Sequence, residues 1–579
     1  MKMVRSEPLN ERLICESPST SLRMWNLWDN IDGTVERGYA GASIFWPYVL
    51  NGKVVRRYVD AARLLASVGI NGIVLNNVNA CDNANIANLD SGVLRSTASV
   101  LYPTFRRHAI RLYFSVCFAL PVVLGNLQTY DPLDTSVQSW WSQKTNEIYD
   151  LMPEFGGFLI KADSEGNGGP FAYGRSHAEG ANALAAALAP HGGILIWRAF
   201  VYGVSNSVHS DRARQAYDIF RSLDGAFDPN VMIQIKSGPM DFQVREPVSP
   251  LVCGLQRTNV IMELQATQEY TGQQIHAVAL ASQWSKYLSF DCGRNGRNLS
   301  AAHSLQSISD HVPPRPMGLA AVSNWGAFRN WTGHVLAAVN TYAFGRIAWD
   351  MFRSVTVSQV HREWVSLSFG LFENTATTHA LTKIVSILDQ SWEVFEEYTS
   401  PMGLGFVCEG GYGGGPCDAA NVEGPMRQHE NEISDGTSHY WVAPWSTVGY
   451  TNASIHGIGC NRHASTGGTG FASQYESSVA AYFTSLESCP EELLLFFHHL
   501  PWTYELSSGL TLIQHLYKSY SNGVVRLNHL AQLWDSLSAE PGHIDAERFH
   551  GVAARFRQSL HDARSWRRTM WGWLADLSG

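Results

Sequence analysis

Residues 156–170 read GGFLIKADSEGNGGP: a short apolar strand, a charged segment from Lys161 to Glu165, and a glycine-rich turn. Other apolar runs of strand length also end in polar or charged residues, at 69–79, 194–198, 231–236 and 260–263. In α/β barrels the functional groups lie at the carboxyl ends of the strands. The repeated pattern therefore predicts an α/β fold with its chemistry at one end of the strands.

Strand and helix patterns alternate along the first 330 residues, with helical spacing at 177–188 and 211–223, for example. The seven predicted strands are 22–30, 69–77, 111–119, 157–162, 193–202, 231–236 and 258–265. An eighth strand falls at either 277–284 or 318–325, and the sequence leaves both open. This order predicts a (β/α)8 barrel. An open doubly wound sheet is the alternative, although no glycine-rich fingerprint follows the first strand.

Long amphipathic helical patterns begin near residue 331. They cover 333–346, 358–369, 380–398, 477–483, 491–499, 511–520 and 545–574. We therefore predict an N-terminal tail at 1–21, a catalytic barrel at 22–330 and a mainly helical C-terminal domain at 331–579. A glycine-rich stretch at 409–416 and an aromatic-bearing segment at 429–470 interrupt the helices. We expect the second of these to pack over the barrel mouth.

Composition excludes several classes of protein for this chain of 579 residues. A net charge of -9 without a basic run argues against a nucleic-acid partner. A secretory signal and a membrane-length apolar stretch are both missing from the sequence, so no membrane partner is expected. The nine cysteines show no zinc or redox spacing, so we expect a cytoplasmic protein without a metal. Nothing in the sequence requires an organic cofactor.

Carboxylates follow three of the predicted strands, at Glu165, Asp241 and Glu269, and Glu263 lies on the last of these strands. Glycosidic hydrolysis needs such a set, because one carboxyl protonates the leaving oxygen while another activates water or attacks the sugar. The alternative is that these carboxylates only hold loops in place.

The cations at the strand ends indicate the class of substrate more clearly than the carboxylates do. Lys161, Arg198 and Lys236 each end an otherwise apolar strand. Converging on one barrel mouth, they would form a pocket for a carboxylate or a phosphate, which arginine can bind through two parallel hydrogen bonds. A neutral sugar needs no such pocket.

Seven longer strings carry a more specific signal. They are DNIDGTVERGYAG (29–41), GINGIVLNNVN (69–79), KADSEG (161–166), YGRSHAEGAN (173–182), REPVSP (245–250), QEYTGQQ (268–274) and EELLLFFHH (491–499). Together they resemble the α-glucuronidases of glycoside hydrolase family 67, and the similarity extends from about Leu22 to the C-terminus.

The resemblance implies a (β/α)8 barrel, a mainly helical C-terminal domain, and removal of α-1,2-linked 4-O-methyl-glucuronic acid from xylooligosaccharides with inversion. Glu165 would be the general acid, while Asp241 and Glu269 would hold and deprotonate the attacking water, with Glu263 as the alternative to Glu269. Inversion then requires the acid to stand ~6.5–9.5 Å from the bases. Glu165 would also need a raised pKa despite the nearby Lys161.

For the substrate, the resemblance implies that Lys161, Arg198 and Lys236 bind the uronate of small acidic xylooligosaccharides, the aldouronic acids. Trp46 would stack on the sugar or belong to the core. The family's C-terminal helices suggest a homodimer.

The chain also departs from the family pattern. Members usually begin with a separate α/β domain, whereas about twenty residues precede the barrel here, and the insertion 408–417 is unusual. Two other functions stay open: a barrel glycosidase for another uronic acid, and a catalytically inactive protein that binds acidic sugars.

Overall fold

A computed structural model describes most of the chain. The described residues are 16–36, 40–46, 48–82, 85–200, 211–293, 300–302, 304–305, 317–352, 355–372, 377–404, 452–539 and 544–578. The predicted segment 409–416, the insertion 408–417 and residues 429–451 of the predicted mouth segment lie outside these ranges.

Eight parallel strands form a closed barrel in chain order, β1 to β8. They are β1 (Leu22–Leu27), β2 (Gly72–Leu75), β3 (Arg111–Ser115), β4 (Gly157–Ile160), β5 (Ile194–Arg198), β6 (Val231–Lys236), β7 (Asn259–Gln265) and β8 (Gly318–Ser323). The first and last strands pair in parallel, Leu22 with Gly318 through Leu27 with Ser323. This closure confirms the predicted barrel and excludes the open sheet.

The eighth strand is the later of the two predicted candidates. β8 covers 318–323, while the other candidate, 277–284, runs into a helix at Ala281–Ser289. The earlier segment is buried and apolar as well, so composition does not separate the two. Pairing with both β1 and β7 is what makes Gly318–Ser323 the strand that closes the barrel.

Helices surround the barrel and build the C-terminal part. They are α1 (Arg56–Ser67), α2 (Ser91–Arg106), α3 (Leu120–Val123), α4 (Thr135–Leu151), α5 (His177–Leu188), α6 (Arg212–Phe220), α7 (Pro250–Gly254), α8 (Ala281–Ser289), α9 (Val339–Trp349), α10 (Val357–Phe369), α11 (Thr378–Thr399), α12 (Ser477–Thr484), α13 (Leu494–Phe497), α14 (Leu512–Asp535) and α15 (Ala546–Ser578). Local sequence explains several starts. Ser176 and Glu179 form a capping box at α5, as Thr511 and Gln514 do at α14.

The C-terminal part is mainly helical, as predicted, with α14 packed between α11 and α15. Three predicted helices differ from those observed. The predicted helix 511–520 extends to Asp535, and 333–346 becomes a 3-10 turn followed by α9. Residues 491–499 contain a 3-10 turn at Glu491–Leu493 and the short α13 before His499 enters a strand. That strand, β11 (His499–Leu500), joins β9 (Asn452–Ser454) and β10 (Gly457–Gly459) in a small sheet. The domain boundaries and the homodimer stay predictions.

No helix in the described part of the chain is long and apolar enough to cross a bilayer.

Each barrel strand contributes at least one side chain to a separate core inside the barrel. These residues are Met24, Val74, Tyr113, Leu159, Ile196, Met232, Ile261 and Ala320. Trp28, Val78, Phe242 and Val322 belong to the same cluster. The barrel is therefore a filled core and not a pore, which leaves its carboxyl end as the place for a site.

Two disulfide bonds join Cys81 to Cys117 and Cys253 to Cys292, across 36 and 39 residues of sequence. No short-range spacing motif reveals pairs this far apart. Disulfides persist in oxidising compartments, so these bonds argue against the expected cytoplasmic location, which stays a prediction.

Gly156 and Gly157 open β4 because no larger residue fits there. A Cβ on Gly156 would lie 2.2 Å from the Tyr113 ring. A Cβ on Gly157, whose φ is +136°, would lie 1.8 Å from the carbonyl oxygen of Ile194 on the neighbouring strand. This close approach lets β4 pair with β5 in the register that brings Lys161 to the barrel mouth.

We expect Gly157→Ala to lower the free energy of unfolding by more than ~3 kcal/mol, because the backbone of β5 cannot move away. The matched control is Gly192→Ala, which also has positive φ, +71°, but nothing within 4 Å of the added carbon. Its cost should be ~1 kcal/mol. Thermal melts at one scan rate compare the two variants, and equal melting temperatures would contradict the steric account.

Candidate active site

Three cations meet at the carboxyl end of the barrel around one phenyl ring, that of Phe200. The Nζ of Lys236 lies 3.5 Å from the ring centroid, the Cζ of Arg198 4.6 Å, and the Nζ of Lys161 4.8 Å. All three cations are buried. The structure therefore brings together the three strand-end cations that the sequence singled out.

A carboxylate accompanies each cation. Lys161 donates to Glu165 at 2.5 Å, and Lys236 donates to Asp241. Arg198 binds Glu263 through two parallel hydrogen bonds, from Nε at 2.8 Å and Nη2 at 2.5 Å. Because the buried positive charge is neutralised pair by pair, the cluster is tolerated away from water.

Glu263 and Glu269 occupy different environments. Glu263 is fully buried on β7, and Gln234 donates a second hydrogen bond to the same oxygen that Arg198 Nε binds. Glu269 lies four residues beyond the end of β7, where Gln265 donates to it at 3.4 Å. Both oxygens of Glu263 are thus occupied by the fork of Arg198, whereas Glu269 lies in the loop at the carboxyl end of the strand.

Ionisation in the cluster follows from burial and these pairs. Burial lowers the pKa of Lys236 to about 8, although Asp241 acts in the opposite direction. For Asp241 itself, burial raises the pKa, but the charge and hydrogen bond of Lys236, together with the charges of Arg212 and Arg198, hold the pKa below its usual range. Burial lowers the pKa of Arg198, but the charge and hydrogen bond of Glu263, together with the charges of Asp241 and Glu165, leave the pKa raised.

The expectation of a raised pKa for Glu165 is wrong. Burial raises its pKa, and the charge of Asp241 adds to this, but the charge and hydrogen bond of Lys161, together with the charge of Lys236, leave the pKa lowered. Glu165 is therefore an ionised carboxylate paired with Lys161. Asp241 is close enough for its charge to act on Glu165.

Backbone strain concentrates beside these residues. Glu165 has a φ of +49° and Asp163 a φ of +51°, and Phe242, directly after Asp241, has a φ of +56°. Residues other than glycine rarely adopt this region, and such residues cluster at functional sites. The strain turns the loops after β4 and β6 so that Glu165 and Asp241 face the cations of the strand ends.

Models of one protein family match nearly the whole chain. The middle-domain model of glycosyl hydrolase family 67 matches residues 2–331, and the C-terminus model of the same family matches residues 332–579. The chain belongs to glycosyl hydrolase family 67.

Two relatives of this family-67 chain are named as glucuronidases. The "Probable alpha-glucuronidase A" of Neosartorya fischeri is 39% identical over 97% of the chain, and so is the "Alpha-glucuronidase" of Hypocrea jecorina over 98%. The chain spans 63% of the length of each. A solved GH138 enzyme targeting pectin rhamnogalacturonan II shares the fold, with a TM-score of 0.50 and 11% identity over 98% of this chain and 59% of that one.

Trp46 lies away from the surface of this family-67 protein. Its side chain is 2% exposed and belongs to the large hydrophobic core, and its backbone N–H donates to Ser43 Oγ at 3.0 Å. The core alternative therefore fits Trp46 better, and stacking on a sugar stays a prediction.

Several residues of the cluster were not predicted from the sequence. Asn79 accepts a hydrogen bond from Lys161 at 2.6 Å and donates to Glu36 at 3.0 Å, so it orients the lysine. Both residues lie in strings that carry the family resemblance, which is the signal that points to them. Gln234 is a polar residue inside an apolar strand, two positions before Lys236 and therefore on the same face. Phe200 carried no signal at all.

We expect the affinity for glucuronate to fall as the pH rises through about 8, because Lys236 loses its proton there and a neutral amine binds no anion. Above that pH the loss should approach roughly tenfold per pH unit. Calorimetric titration measures it. In Lys236→Arg the side chain stays charged, so the fall in affinity should move to higher pH. An identical pH profile in both proteins would show that Lys236 is not the group whose deprotonation weakens binding.

Proposed function

We propose that this protein is an inverting α-glucuronidase that hydrolyses the α-1,2 bond between (4-O-methyl-)glucuronic acid and xylooligosaccharides. The observation that carries the proposal is the cluster of three buried cations with ion-paired carboxylates at the carboxyl end of a family-67 barrel. A uronate is a small anion that such a cluster can bind. The names of the two relatives support the same activity.

In the proposed reaction, Lys161, Arg198 and Lys236 bind the carboxylate of the sugar. Protonated Glu165 gives its proton to the xylose oxygen as the bond from that oxygen to the anomeric carbon breaks. A water molecule attacks the anomeric carbon from the opposite face and loses a proton to the pair formed by Asp241 and Glu269. The product is β-glucuronic acid, and no cofactor takes part.

Under this proposal, the ion pairs of the site provide a route by which Glu165 gains its proton. A bound uronate competes with Glu165 for Lys161 and with Asp241 for Lys236. When Lys161 pairs with the uronate, the influence that lowers the pKa of Glu165 weakens, while burial and the charge of Asp241 still raise it. Arrival of the correct substrate thereby favours the protonated acid, and a neutral sugar would not produce this change.

Under this proposal Glu269, in the string QEYTGQQ that carries the family resemblance, is the second base, and the contacts of Glu263 argue against the alternative. Proton transfer needs a carboxylate oxygen that is available to water. Both oxygens of Glu263 accept hydrogen bonds from Arg198 in a fully buried position. Its role would be to hold the guanidinium in the orientation that grips the uronate.

The loss of activity on removing the acid should depend on the leaving group of the substrate. With reduced aldotriouronic acid, Glu165→Ala should lower kcat by ~10²–10⁴-fold, because the xylose oxygen needs a proton. With an aryl α-glucuronide whose leaving group is already acidic, the loss should be much smaller. Asp241→Ala is the matched control and should lose activity on both substrates. Proton NMR should show the β-anomer as the first product of the wild type.

Release of the α-anomer as the first product would refute inversion. A properly folded wild type that releases no sugar would refute the activity. The alkaline limb of the kcat profile reports the pKa of Glu165 in the complex. A pKa for this limb at or below the ordinary glutamate value would contradict the proposal that the uronate replaces Glu165 as the partner of Lys161.

Glu269→Gln and Glu263→Gln should behave differently. We expect Glu269→Gln to lower kcat by at least ~100-fold with little change in melting temperature. Glu263→Gln leaves the buried Arg198 without a charged partner, which should cost ~3–5 kcal/mol of stability and raise KM. Steady-state kinetics and thermal melts on both variants test this. The reverse pattern would make Glu263 the base.

A further inference from the structure

The loop from Ser237 to Ser249, called here the Asp241 loop, connects β6 to α7 and carries the proposed base. Its two ends meet, since the N–H of Ser249 donates to the carbonyl oxygen of Ser237 at 2.8 Å. Between these ends the loop contains neither helix nor strand, and Phe242 within it has a positive φ. Buried irregular backbone needs partners for its N–H groups from elsewhere.

Glu246 supplies those partners from within the loop. Its carboxylate accepts the backbone N–H groups of Met240 at 2.6 Å, Asp241 at 3.3 Å and Gln243 at 2.5 Å. Gly238 completes the fit, because a Cβ at that position would lie 2.4 Å from Glu246 Oε2. The side chain is 5% exposed, so Glu246 fills the inside of the turn.

Glu246 is held differently from three other buried glutamates. Glu263, Glu363 and Glu396 each pair with an arginine. In the described ranges of the chain, the contacts of the Glu246 carboxylate are with backbone N–H groups and include no salt bridge. Burial raises its pKa to about 7, while the hydrogen bonds from Gln243 and Met240 lower it. A carboxylate buried without a cation loses its hydration, which costs free energy. Here the backbone N–H groups of the turn beside Asp241 compensate that loss.

We propose that Glu246 is a positioning residue of the reaction, whose carboxylate shapes the turn 240–243 so that Asp241 faces the attacking water. The inference rests on the proposed function. Glu246 lies in the string REPVSP, to which the chemistry assigned no role. Misplacement of a reacting group by ~1 Å can cost ~10²-fold in rate, so a residue that touches no substrate can still control kcat.

The outer side of the Asp241 loop is anchored independently of Glu246. Gln283 on α8 donates to the carbonyl oxygens of Gln243 and Val244, and Trp392 on α11 donates to Val244 at 3.0 Å. Tyr475 donates to Val248 at 2.6 Å. These anchors should keep the loop folded when Glu246 changes, which confines the effect to the inner turn.

Glu246→Gln should lower kcat on reduced aldotriouronic acid by ~100-fold. An amide presents one oxygen where the carboxylate presents two, so the turn loses acceptors. KM should change much less than kcat, because Lys161 and Arg198 lie at strand ends and have their partners outside the turn, although Lys236 pairs with Asp241 inside it. Steady-state kinetics separate the two constants.

The matched control is Glu363→Gln, another buried glutamate, bound to Tyr342 and Arg346 between α9 and α10. It should lower the melting temperature and leave kcat unchanged. Gly238→Ala provides a second route, because the added methyl group pushes the intact Glu246 carboxylate out of the turn. It should reproduce the loss of kcat, and the double variant should lose little more.

A wild-type kcat in Glu246→Gln or in Gly238→Ala would overturn the inference and leave the proposed function standing. Equal losses of kcat in Glu246→Gln and Glu363→Gln would also overturn it, because the effect would then be one of stability. An inactive wild type would instead refute the proposed function, and the inference with it. If Glu246→Gln does not fold, Gly238→Ala decides.

Discussion

The rest of the site depends on one constraint, the burial of three cations close together. All three lie within 4.8 Å of the centroid of one phenyl ring. Like charges buried together destabilise one another, so each needs a carboxylate at hand. Glu165, Asp241 and Glu263 meet this need for Lys161, Lys236 and Arg198 respectively. Under the proposed mechanism, the same arrangement puts the acid Glu165 and the base Asp241 beside the place where the uronate would bind.

The three pairs are not equivalent. Arg198 and Glu263 are almost completely inaccessible to solvent, and their parallel hydrogen bonds make this pair a fixed part of the barrel interior. The side chain of Glu165 is 42% exposed although that of Lys161 is 2% exposed, so Glu165 is the partner that an incoming carboxylate can replace. The Arg198 pair is therefore the fixed part of the cluster, and the Lys161 pair is the one that solvent reaches most, through Glu165.

The loops that carry the carboxylates need support, because they contain strained backbone. Glu165 and Phe242 have positive φ, a conformation that persists only where the surroundings enforce it. For the Asp241 loop this support comes from Glu246 inside and from Trp392 and Tyr475 outside. Arg245 adds a buried pair of hydrogen bonds to Glu396 on α11. The helices beyond the barrel therefore hold part of the site in shape.

The sequence by itself determined the alternation of strands and helices, the polar strand ends with Lys161, Arg198 and Lys236, and the family resemblance, since these depend on residues close together in the chain. The tertiary structure decided which segment closes the barrel, because 277–284 and 318–323 differ in their pairing partners and not in their apolar character. It also decided that Glu263 belongs to Arg198, that Phe200 lies among the cations and that Lys161 lowers the pKa of Glu165. Each of these depends on side chains from different strands meeting in a buried space, where charge acts strongly and sequence spacing gives no measure of distance.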